Sequence, residues 1–185
     1  YWDGQFDDAR LALALARTAA SLGALVVNYC PATALVHEGG KVAGFVCEDT
    51  DSGQQFTVRA RTVVNATGVW VDTLRQMDGE AIGRPVKPIV APSQGVHIVV
   101  DREFLPSDHA LMVPKTADGR VLFAVPWLGK LILGTTDSPR QDIVREPQPF
   151  NEEVKVILEE SARYLTRAPG VEGIRSVWVG LRPLV

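Results

Sequence analysis

Apolar and polar positions divide the chain into two textures. Residues 8–22 are rich in Ala and Leu and contain neither Gly nor Pro, a run that favours helix. Asp7 or Asp8 can accept hydrogen bonds from the free N–H groups of its first turn, and Gly23 is its predicted stop. Three β-like pieces follow at 24–29, 33–38 and 42–49, the last two joined by a tight turn at Gly39-Gly40. After a turn at Asp51-Ser52-Gly53, residues 55–60 alternate and pair with the preceding strand. The β-branched run 62–66 reads as a further strand that ends in Thr67-Gly68. A helix is predicted over 71–77.

The texture changes at Gly83-Arg84-Pro85, where alanine-rich helix gives way to strands separated by Pro, Gly and Asp. This predicts two domains, 1–84 and 85–185. In the second, 93–101, 110–114, 121–126 and 130–135 read as an antiparallel meander, with hairpin turns at Ala117-Asp118-Gly119 and Leu128-Gly129. One helix interrupts it. Asn151, Glu152 and Glu153 form an acidic start that suits the helix dipole, and Val154, Ile157, Leu158, Ala162 and Leu165 recur at helical spacing through about Thr166. A last strand is predicted over 174–181. The expected fold class is α/β plus antiparallel β (α+β).

Composition narrows the function classes. The 185 residues are 46% hydrophobic and 22% charged, as in an ordinary globular protein. Lys+Arg 19 against Asp+Glu 22 leaves a net charge of -3, so no basic face for nucleic acid or anionic lipid is visible. The longest apolar runs, 11–16 and 131–134, fall far short of the ~20 residues that cross a bilayer. Cys30 and Cys47 are expected to stay reduced. The chain opens without an initiator Met or a signal-peptide pattern and stops at Gly180-Leu-Arg-Pro-Leu-Val185 inside a predicted strand. It is therefore expected to be a piece of a longer protein.

Three segments are candidates for chemistry. In Thr62-Val-Val-Asn-Ala-Thr-Gly68 an apolar strand stops at small residues, which lets backbone approach a flat or anionic ligand; a buried strand ended by a glycine turn has the same pattern. Arg182 stands at the end of an apolar strand, where a guanidinium needs an anionic or carbonyl partner: a phosphate or substrate oxygen in one reading, a surface carboxylate in the other. Gly134-Thr-Thr-Asp137 reads as a side-chain-capped turn. His97 reads as a satisfied core residue, and His37 and His109 as solvated turn residues. The chain has no Cys-x-x-Cys, His-Glu-x-x-His, Gly-x-Ser-x-Gly or Gly-x-x-x-x-Gly-Lys-Ser/Thr motif, no Gly-x-Gly-x-x-Gly, and no metal site is predicted.

Taken in order, Trp2-Asp3-x-x-Phe6-Asp7-Asp8-Ala9-Arg10-Leu11, Val63-Val-Asn-Ala-Thr-Gly68-x-Trp70-Val71, Gln94-Gly95-x-His97-Ile-Val-Val100, Pro126-Trp127, Gly134-Thr-Thr-Asp137 and Gly180-x-Arg182-Pro183-Leu184 resemble the FAD-dependent glycerol-3-phosphate dehydrogenase family over the whole chain, at the middle of that family's length. The resemblance implies a partial FAD-binding domain of the glutathione-reductase type, followed by an antiparallel-sheet substrate domain that covers the flavin. It implies that Ala66, Thr67, Gly68 and Trp70 lie along the FAD and that the strand start at Ala32 and Thr33 passes near the adenine. Arg182 matches the arginine that polarises the C2 oxygen of the substrate as hydride leaves for the flavin.

The implied reaction is oxidation of sn-glycerol 3-phosphate to dihydroxyacetone phosphate, with electrons passed to quinone. The implied setting is the cytoplasmic face of the inner membrane, as a peripheral protein and a possible homodimer. Val69 and Gln94 replace the family's usual Pro and Lys. The family's Gly-x-Gly-x-x-Gly, His-Gly-Gly-x-Arg-Tyr and Gly-Gly-Lys segments do not occur in the chain, so the piece alone is expected to be inert and to hold FAD poorly. The alternatives are a related flavin oxidoreductase acting on an amine or amino acid, which the Gly-Thr-Thr-Asp and Gly-Leu-Arg-Pro pair argues against, and a binding module without cofactor.

Overall fold

The fold is that of a computed structural model, which describes residues 2–116 and 119–185. Its contacts gather into two compact units, residues 1–64 with 77–84, and residues 65–76 with 85–185.

The first unit holds helix α1 (Asp8–Ser21) and a three-stranded antiparallel sheet in the order β1 (Ala32–Glu38), β2 (Lys41–Glu48), β3 (Gln55–Arg59). Asp7 caps α1, its Oδ1 accepting the Arg10 N–H at 3.0 Å, because a first helical turn has N–H groups that no backbone carbonyl reaches. The β1–β2 hairpin turns on Gly39 and Gly40, both at positive φ (57° and 75°) that a side chain disfavours. Cys30 and Cys47 are free thiols. Burial, and then a hydrogen bond with Cys30, push the Cys47 thiol up from its ordinary value.

Two predicted strands are absent. Residues 24–29 and 62–66 carry strand-forming side chains but have no strand partner among the described residues, and Leu25 and Val64 lie 91% and 80% exposed. A strand's N–H and C=O groups need a neighbour, so β-propensity alone does not make one.

Helix α2 (Val71–Ala81) contributes its first part to the second unit and its end to the first. The second unit is built on β4 (Ala91–Asp101), whose one edge carries β7 (Lys130–Gly134) and then β8 (Ser138–Pro139), and whose other edge carries β9 (Ser176–Leu184) along nine residue pairs. β6 (Leu122–Trp127) and β5 (Leu111–Val113) extend the sheet beyond β7. The β6–β7 hairpin turns at Leu128 and Gly129, both at positive φ (45° and 76°). The predicted turn at Ala117-Asp118-Gly119 includes two residues outside those described. β9 starts later and runs three residues further than its pattern predicts, since Arg182, Pro183 and Leu184 all find partners on β4.

Helix α3 (Asn151–Ala162) covers one face of this sheet. Side chains alternate across a strand, so Val96, Ile98 and Val100 of β4 and Leu131 and Leu133 of β7 point together toward Ile157 and form the core. Each such side chain contributes about 1.5–3 kcal/mol on burial. The same alternation sends Gly95, His97, Gly134, Trp178, Gly180 and Arg182 to the opposite face.

Candidate functional site

That opposite face is unlike the core face. Gly95 stands opposite Gly180, and His97 stands between Gly134 on one side and Trp178 on the other. Two facing glycines leave this stretch of the face without side chains, and the Arg182 guanidinium lies over one of them: a Cβ on Gly95 would sit 2.6 Å from Arg182 Cζ and 2.7 Å from Nη1, whereas one on Gly180 would meet nothing within 4 Å. The His97 ring lies over Gly134 in the same way and stacks on Trp178, ring centres 5.3 Å apart and planes 15° from parallel. Glycine inside a strand marks a close approach, and here an arginine and a histidine are what approach.

Arg182 is held by the loop that follows β7. Its Nη1 donates to the Thr136 carbonyl at 3.0 Å and its Nη2 to Thr135 Oγ1 at 2.7 Å. Asp137 Oδ1 is 3.6 Å from Nη1 and is itself hydrogen-bonded by the Ser93 hydroxyl. The Arg182 side chain remains 35% exposed. A guanidinium has five N–H donors, so with two engaged in these bonds it retains capacity for an oxygen ligand. Both readings of Arg182 thus have a footing: it has a carboxylate nearby, but one beyond hydrogen-bond distance and 55% exposed.

The turn at 65–70 belongs to the same unit and lies against β9. Asn65 builds it, its Nδ2 donating to the Val71 carbonyl at 2.9 Å and its Oδ1 accepting the Thr67 hydroxyl at 2.8 Å. Gly68 has φ 58°, and the space where a side chain would project is open. Ala66 is exposed, Thr67 and Gly68 are half-buried, and Trp70 is 39% exposed. The small residues therefore present backbone to solvent, as ligand approach requires. In the first unit Ala32 opens β1, half-buried, and Thr33 is exposed with its hydroxyl directed at the Val46 carbonyl.

The remaining candidates divide. Gly134-Thr-Thr-Asp137 is more than a self-capped turn, since Thr135 and Thr136 ligate Arg182 while the Thr136 side chain is 1% exposed. His97 is not in the core but on the open face. His37 is not a solvated turn residue: it sits in β1 at 15% exposure, hydrogen-bonded to Asp78 Oδ1 at 2.8 Å. His109 is exposed, as its surroundings predict. Thr135, Thr136 and Asn65 lie in segments that the sequence singled out and Gly95 in a motif it quoted, but the part each has in holding Arg182 or the 65–70 turn was not assigned there, because it depends on strand pairing and loop placement. Among the described residues no group of three or more His, Cys, Asp or Glu could hold a metal ion, and no helix is long and apolar enough to cross a membrane.

Comparison with known proteins bears on the family and the fold. The chain is 38% identical over its whole length to the mitochondrial glycerol-3-phosphate dehydrogenase of Schizosaccharomyces pombe, covering 29% of that protein, and 42% identical to that of Mus musculus, covering 26%. The chain thus spans about a quarter to a third of the length of these curated relatives. Its fold matches the glycerol-3-phosphate dehydrogenase of Bacillus halodurans, solved in complex with FAD, with a TM-score of 0.87 and 36% identity over 97% of this chain and 36% of that one. The expected cytoplasmic location is overturned, because those curated relatives are mitochondrial proteins. Residues 1–185 match a single family description throughout, and the chain belongs to the FAD dependent oxidoreductase family.

Proposed function

We propose that this chain is the central part of a flavoprotein that oxidises sn-glycerol 3-phosphate to dihydroxyacetone phosphate. The observation that carries the reading is Arg182: a guanidinium laid over Gly95, anchored through two donors, 3.6 Å from the exposed Asp137 carboxylate and still 35% exposed. FAD, when bound, supplies the hydride acceptor. The turn at Ala66, Thr67 and Gly68 fits such a group, because open space stands where a side chain at Gly68 would project. In this reading Ala66, Thr67, Gly68 and Trp70 line the flavin; for Ala32 and Thr33 a place near the adenine rests on family likeness alone. In the oxidation C2 would give its hydride to the flavin and the hydroxyl would give its proton to a base of the complete protein, while negative charge that develops at the C2 oxygen would fall to the Arg182 N–H groups. Quinone as electron acceptor, a membrane-surface association and a homodimer belong to the same proposal for the complete protein and rest on family likeness.

The test uses the full-length protein. It should purify with flavin and reduce an electron acceptor with glycerol 3-phosphate but not with sarcosine or a D-amino acid. Arg182→Ala should lower kcat/KM by about 10²–10³-fold at unchanged FAD content, the usual effect of removing one preorganised donor from a developing charge. Wild-type kinetics in that variant would remove Arg182 from the reaction, and a complete protein without flavin would leave only a binding module.

A further inference from the structure

Resting on that reading only for the role given to Arg182, we infer that Thr136 and Glu153 are positioning residues, which hold the Arg182 guanidinium in place through a hydrogen-bonded chain that crosses the sheet. Thr136 is the crossing point. Its carbonyl faces the open side and accepts Arg182 Nη1, while its hydroxyl faces the core, accepting the Val96 N–H at 3.0 Å and donating to Glu153 Oε1 at 3.1 Å. Glu153 stands in the first turn of α3, 5% exposed. Its Oε2 accepts the Phe150 N–H at 2.9 Å and Gln94 Nε2 at 2.7 Å. Gln94, fully buried, also donates to the Gln148 carbonyl at 3.1 Å and accepts from Arg140.

A carboxylate between a sheet and a helix is an expensive way to fill a core, and it persists only where every lone pair is met. Here the network converges on the one strand and the loop that hold the Arg182 guanidinium from beneath and beside it: Gln94 and Val96 of β4 flank Gly95, over which the guanidinium lies, and Thr136 supplies its ligand. A buried network of this kind has few alternative arrangements. Removing the Thr136 hydroxyl leaves both the Val96 N–H and Glu153 Oε1 short of a partner, so the loop shifts and the Arg182 anchor shifts with it.

Two measurements on the full-length protein test this. First, modification of Arg182 by phenylglyoxal, followed by peptide mapping, reports how firmly the guanidinium is held, whatever the substrate. Thr136→Val, which keeps the shape and removes the hydroxyl, should speed modification of Arg182 by about threefold or more. Thr136→Ser, which keeps the hydroxyl, should react at the wild-type rate. Second, Thr136→Val should lower kcat/KM with glycerol 3-phosphate about tenfold, yet cause no further loss in an Arg182→Ala background, because it acts through that residue.

An unchanged Arg182 reactivity in Thr136→Val overturns the inference, and so do losses from Thr136→Val and Arg182→Ala that multiply. Faster modification in a protein whose wild type does not oxidise glycerol 3-phosphate upholds the positioning chain and refutes the substrate. If Thr136→Val does not fold, Glu153→Gln serves in its place: it keeps the shape of Glu153 but forfeits one acceptor, and it must also speed modification of Arg182.

Discussion

Gly95→Ala separates folding from chemistry at one atom. Gly95 lies in the middle of β4 in ordinary strand conformation, so alanine suits its backbone and lowers the entropy of the unfolded chain, a gain of about 0.4–1 kcal/mol. The three atoms nearest the new methyl all belong to the end of one flexible side chain: Arg182 Cζ at 2.6 Å, Arg182 Nη1 at 2.7 Å and Nη2 closer still. Ordinary contact begins at 3.4 Å, so the guanidinium must lift by roughly 1 Å. A long side chain does this at little cost to the fold, but its bonds to the Thr136 carbonyl (3.0 Å) and Thr135 Oγ1 (2.7 Å) do not survive such a shift. Misplacement of a catalytic group by about 1 Å costs on the order of 10²-fold in rate.

The expectation for the full-length protein is therefore a thermal midpoint within a few degrees of wild type, the same flavin content, and kcat/KM with glycerol 3-phosphate lowered about 100-fold. Calorimetry, the flavin absorbance ratio and dye-coupled turnover measure the three. A Gly95→Ala protein with wild-type kcat/KM would refute the placement of Arg182 over Gly95 as a functional arrangement. One with lost flavin would mean that the glycine serves the cofactor and not the arginine.

Gly44→Ala should do the reverse, because its methyl would run into the backbone carbonyl of Val58 and stand 3.1 Å from Arg59 Cα; strands β2 and β3 must part, destabilising the protein by about 2 kcal/mol or more while molecules that remain folded keep their kcat/KM. Equal thermal midpoints would contradict it. Asp101 accepts Arg175 and Lys130, and those hydrogen bonds hold its carboxyl at about 2. A folded value below the unfolded one means a contribution that is present above about pH 4 and lost as pH falls through about 2, so Asp101→Asn should lower the urea midpoint at pH 7 and match wild type near pH 2. Superimposable midpoints at pH 7 would show that the cluster contributes nothing.

Local chemistry made several elements readable in the chain. Asp7 before an alanine-rich run, Gly39-Gly40 between two β-branched runs, and the 3.6-residue spacing of Val154, Ile157 and Leu158 each specify their element through interactions a few residues long, and α1, the β1–β2 hairpin and the start of α3 stand where those patterns put them, although α3 ends at Ala162, four residues before its predicted stop. The same reasoning failed at 24–29 and 62–66, since a strand is made by its neighbour and the run itself carries no information on whether one is there. The extent of β9 through Pro183 was hidden for a similar reason: proline discourages a strand locally, and only pairing with β4 carries the element past it.

The site divides along the same line. Residue types alone left Arg182 and the Ala66-Thr67-Gly68 turn each with a structural and a ligand-binding reading, and the resemblance to the family is what implied the second. Sequence also carried the family, through motifs spread over the whole chain. Everything that places the Arg182 guanidinium is non-local: Gly95 beneath it comes from 87 residues earlier in the chain, and Thr135 and Thr136 beside it from 47 and 46 residues earlier. His97 illustrates the limit. Its alternation with Val96 and Ile98 is consistent with either face of the sheet, and only the side on which α3 packs sends the valine and isoleucine into the core and the histidine to the open face with Trp178 and Arg182. Alternation fixes which residues share a face, whereas packing against a distant helix decides which face is buried and which is left to meet a ligand.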